Sequence, residues 1–171
     1  MTTMERNMHM SEKTFDIALL RKAVDWARDE HNHNHYIPVG SERPDRWFQG
    51  WWGKVRLSKK ALKDGEKVRQ TGWFAVDQLS CGSTGCLAGH ICTLSGDRYV
   101  IELGQADAYH IDLLIDVGHV VDSEGHIHSI PERARELLGL DSDWGLFAGE
   151  NSVEDLETIA AQIAADHGEV W

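Results

Sequence analysis

The sequence predicts an α+β fold: a mainly helical single domain with a small β-hairpin or short antiparallel sheet. Three observations predict it. Apolar residues recur at helical spacing near the start, the middle and the end of the chain. Two alternating runs around Asp122-Ser123-Glu124-Gly125 have the form of a hairpin. No repeat, linker or low-complexity segment divides the 171 residues, a length that suits one domain. The expected layout is a flexible N-terminus over residues 1–11 and one globular domain over residues 12–168. Met1, Met4, Met8 and Met10 leave the start ambiguous, and His9-Met10 has the form of a cloning remnant.

Taken in order, Thr14 opens the first helix, on which Phe15, Ala18, Leu19, Ala23, Trp26 and Ala27 share one side and Asp16 suits the N-terminal dipole. His31-Asn32-His33-Asn34-His35 then alternates histidine with a turn residue and reads as a solvated loop, with metal binding as the alternative. Residues 36–52 are irregular, punctuated by Pro38, Gly40, Pro44 and Gly50. Within that stretch Trp47, Phe48, Trp51 and Trp52 form an aromatic cluster. Such a cluster either lids the core or makes a recognition patch, since tryptophan is enriched at binding hot spots. Val55 to Leu62 and Trp73 to Leu79 read as short strands around a polar turn at Lys63 to Gly72.

A helix follows the cysteines, capped by Ser83 or Thr84, carrying Leu87, Ile91 and Leu94, and stopped by Ser95-Gly96. Arg98 to Leu103 reads as a strand and Ala106 to Val117 as a short helix or irregular segment. Gly118 to Val121 and His126 to Ile130 form the hairpin. Pro131 opens a helix that Gly139 closes, because proline lacks an N–H the first turn would leave unused anyway. Asp141 caps a short helical turn with Trp144 and Phe147. Ser152 to Asp155 then has capping-box spacing for a last helix that runs to about Asp166 and stops at Gly168.

Composition narrows the function. Hydrophobic content of 42% and charged content of 26% are those of an ordinary globular domain. A net charge of −11 argues against binding a phosphate backbone, because no counterion-releasing basic surface is present. No apolar run reaches the roughly 18 residues of a membrane span. Three cysteines, an odd number, suit a reducing cytosol better than a disulfide framework, so a cytoplasmic location is expected.

All three cysteines fall in Cys81-Gly82-Ser83-Thr84-Gly85-Cys86-Leu87-Ala88-Gly89-His90-Ile91-Cys92. Three chemistries fit the segment. Cys81, Cys86 and His90 can supply three ligands to a structural zinc, the fourth coming from His110, His119, His126 or His128. A thiol at a helix N-terminus beside a histidine can be an activated nucleophile. Finally, Gly85, Ala88, Gly89 and Cys92 can form a small-residue side for close packing, with buried cysteine acting as a small hydrophobe and His90 as a core or boundary histidine with one hydrogen bond. Packing accounts for every residue without further chemistry.

The stretch from Cys81 to His90 resembles a C-G-T-x-x-C-x-A-G-[HW] signature of small uncharacterised proteins of actinobacterial phages and their hosts. Ser83 replaces the usual threonine and keeps the hydroxyl. The resemblance extends over roughly Trp73 to Ala164 and implies a phage accessory protein, with no catalytic role attached to any residue. The leading expectation is therefore a non-enzymatic cytosolic protein that binds a host or phage protein, with Trp47, Phe48, Trp51 and Trp52 as its contact surface.

Overall fold

Helix α1, Ile17–Arg28, buries Leu20, Ala23, Val24 and Ala27 along one side, the stripe a 3.6-residue period creates. Its N-cap is Asp16 rather than Thr14. The Asp16 carboxylate accepts the Leu19 N–H at 2.8 Å, satisfying one of the donors that a first turn leaves open. The computed structural model describes residues 14–29, 53–56, 64–69, 72–76, 84–102 and 114–171.

The strands fall into two antiparallel sheets. Strand β1 is Gly53–Arg56, β2 is Glu66–Lys67, β3 is Trp73–Val76 and β4 is Thr84–Gly85. Helix α2, Leu87–Leu94, follows, and then β5, Arg98–Glu102; β6, Leu114–Asp116; β7, His119–Val121; and β8, Ile127–Ser129. The larger sheet has the order β2-β3-β5-β7-β8, and the smaller one β4-β1-β6. Two expectations change here. The polar stretch Lys63 to Gly72 contains β2, whose Glu66 and Lys67 pair with Ala75 and Phe74. The end of the expected helical or irregular segment, Leu114–Asp116, is a strand held by β1. Both segments are short and neither shows alternation strong enough to read, so partner strands decide their state.

Alternation along the larger sheet sorts its side chains. Val76, Tyr99, Ile101 and Val120 join the main core with the helices, whereas Ala75, Val100 and Val121 join Val68 in a second cluster. Helix α3, Ile130–Leu137, carries Pro131 in its first turn and ends beside Gly139, whose φ is +70°. A Cβ at Gly139 would lie 2.4 Å from the Thr14 carbonyl oxygen, so the chain entering α1 crosses that glycine at backbone contact. Helix α4, Val153–Asp166, begins with the expected capping box: Asp155 N–H donates to Ser152 Oγ, and Ser152 N–H donates to the Asp155 carboxylate.

Helix α2 packs between α1 and α3, and α1 also packs on α4. Residues 141–150 form successive turns rather than the expected helical turn. From these turns Leu146 and Phe147 point into the core, while Trp144 remains half exposed.

Candidate functional site

The cysteine segment is built around the start of α2. Cys86, not Ser83 or Thr84, is the N-cap; Thr84 belongs to β4. Its extended backbone, φ −74° and ψ 176°, turns the side chain back so that Sγ accepts the Gly89 N–H at 3.4 Å. The sulfur takes the role an Oγ plays in a serine cap. Cys86 is 1% exposed and belongs to the main core with Leu87, Ala88, Ile91 and Cys92. Burial pushes its thiol up to about 11, against the smaller opposing pull of the Gly89 and Ala88 N–H groups. Cys92 is buried as well, its thiol donating toward the Ile130 carbonyl at 3.7 Å. Burial raises its pKa too, with Asp97 next in effect.

His90 takes a different course from Cys86. Its ring lies on that of Trp26 from α1, centroids 3.9 Å apart and planes 16° from parallel. Burial pushes it down to about 4, so it is a neutral imidazole at neutral pH. No described residue hydrogen-bonds the ring; the expected single hydrogen bond is replaced by an aromatic stack. Cys86 and His90 are thus joined through the backbone, His90 N–H donating to Cys86 O at 2.9 Å, while their side chains serve separate contacts. Beneath α2, Asp97 is buried and accepts Arg133 Nε–H at 2.8 Å, which ties the turn after α2 to α3.

Of the histidines proposed as fourth ligands, His119, His126 and His128 are described, and each has another partner. Asp122, at the end of β7, gathers the hairpin turn. Its Oδ1 accepts the N–H groups of Glu124 and His126 at 2.9 and 2.8 Å, and Oδ2 lies 2.9 Å from His128 Nε2. Burial works against charge on Asp122, but the His128 contact and the two backbone donors outweigh it and hold the carboxyl well below its usual range. The His126 and His128 ring centroids are 6.5 Å apart, wider than the roughly 5 Å that two imidazoles sharing one tetrahedral ion would adopt. His119 meets the edge of Trp73 at 5.0 Å. Among the described residues no three His, Cys, Asp or Glu side chains converge as a metal set. Cys81 and His110 lie outside the described residues, as do Trp47, Phe48, Trp51, Trp52 and the His31-His33-His35 loop.

One surface feature escaped the sequence reading. Trp144 is 49% exposed and has φ 52°, a left-handed conformation that bulky residues rarely adopt. The loop around it is fixed from both sides. Ser142 Oγ accepts the Trp144 N–H at 3.3 Å, and Asp143 Oδ1 accepts the Gly145 N–H at 3.2 Å. Buried Asn151 donates through Nδ2 to the carbonyls of Gly145 and Leu146 at 2.8 and 3.2 Å. Its signal in the sequence is Asp141-Ser142-Asp143-Trp144-Gly145, a run of turn residues interrupted by one tryptophan.

Comparison of the chain with family models, curated proteins and solved structures finds no match in any of the three. Among the described residues no helix is long and apolar enough to cross a membrane.

Proposed function

We propose that this chain is a phage-type accessory protein that works in the cytosol by binding a host or phage protein, without thiol or metal chemistry of its own. One observation carries the reading: Cys86, the central thiol of the cysteine segment, is a desolvated helix cap inside the core. A thiolate is the reactive and metal-binding form, and burial disfavours it at this position. The stacking of His90 on Trp26 supports the same reading, because it engages the imidazole nearest in sequence in an aromatic contact. The net charge of −11 favours a protein partner over a nucleic acid. Trp47, Phe48, Trp51 and Trp52 remain the proposed contact residues on composition, aromatic side chains being the commonest anchors of protein interfaces.

The test is affinity capture with the full chain and with the Trp51→Ala/Trp52→Ala variant, using lysates of the host with and without phage genes expressed. A partner retained by the natural chain and lost by a variant with unchanged circular dichroism is the expected result. One zinc per chain, measured in protein purified without metal-affinity resin, would overturn the reading in favour of a structural zinc held by Cys81, Cys86 and His90.

A further inference from the structure

We draw no further inference here: the strongest candidate, the apolar cluster of Val68, Ala75, Val100 and Val121 on the face of the five-stranded sheet opposite the helices, with Trp73 and Ile127 packed against it, carries nothing because nothing among the described residues shows what covers that face.

Discussion

The ring of His90 lies flat on the ring of Trp26 at 3.9 Å, and this stack joins α2 to α1. It also makes stability depend on pH. The unfolded histidine takes up a proton near its ordinary value of 6.5, the folded one only near 4. Between those values the unfolded state holds more protons, so stability falls as pH drops from about 6.5 to about 4. The shift converts to a loss on the order of 1–2 kcal/mol once solvent screening at a half-buried site is allowed for. His90→Phe keeps a ring on Trp26 and should remove this part of the pH dependence. Denaturant melts of both proteins across pH 4 to 7 check it; parallel curves would show that His90 is not desolvated as described.

Two glycines with left-handed backbones should respond differently to alanine. At Gly139, φ +70°, a Cβ meets Thr14 O at 2.4 Å and Thr14 C at 2.9 Å, both backbone atoms that cannot swing aside. Gly139→Ala should therefore cost about 3 kcal/mol or more, conformational strain adding to a backbone clash. At Gly145, φ +76°, a Cβ meets nothing within 4 Å, so Gly145→Ala should cost only about 1 kcal/mol. Equal losses in thermal melts would mean the Thr14 crossing is looser than described.

Asp97 and Arg133 form the one ion pair among the described residues in which the carboxylate is almost fully enclosed, their side chains being 3% and 18% exposed. Asp97→Asn keeps the shape but removes the charge facing Arg133. It should cost about 2–4 kcal/mol in a urea melt, somewhat less than a fully uncompensated buried charge because Glu136 lies 3.4 Å from the same guanidinium. A cost under half a kcal/mol would place the pair in the class of solvated surface bridges.

Cys86 and Cys92 should be slow to alkylate. A thiol at about 11 offers on the order of one thiolate in ten thousand at neutral pH, and Cys86 is also closed to the reagent. Peptide mapping after iodoacetamide treatment of the native protein should find both unmodified, and modified fully after unfolding in denaturant. Rapid native labelling of Cys86 would contradict its place in the core.

Much of this was legible in the sequence, and the parts that were not have identifiable causes. The hairpin, the helices closed by Gly139 and Gly168, and the Ser152–Asp155 capping box follow from local chemistry: turn residues, left-handed glycines and a cap within four residues. Strands β2 and β6 are not written locally, since each has three residues or fewer and gains its hydrogen bonds from a distant strand. The start of α2 was misplaced by two or three residues, because hydroxyls at Ser83 and Thr84 are stronger cap signals than the Cys86 thiol. At the candidate site the division is similar. The cysteine segment announced close packing through Ala88 and Gly89, whereas the Trp26 stack on His90 bridges two separate helices and has no local trace. Trp144 was read as a residue of a helical turn. The loop is instead fixed by hydrogen bonds that Ser142 and Asp143 accept and Asn151 donates, and Trp144 is left half exposed.

That Cys86 is a cap and core residue underlies the reading of this segment as packing, without thiol or metal chemistry, and the unfolding free energy of Cys86→Ala tests it most directly. Alanine loses the Sγ acceptor for Gly89 N–H and a sulfur-sized volume, so a loss of about 1–2 kcal/mol with a native spectrum is predicted. Loss of most of the stability, as follows when a metal ligand is removed from a fold that depends on its metal, would contradict the account.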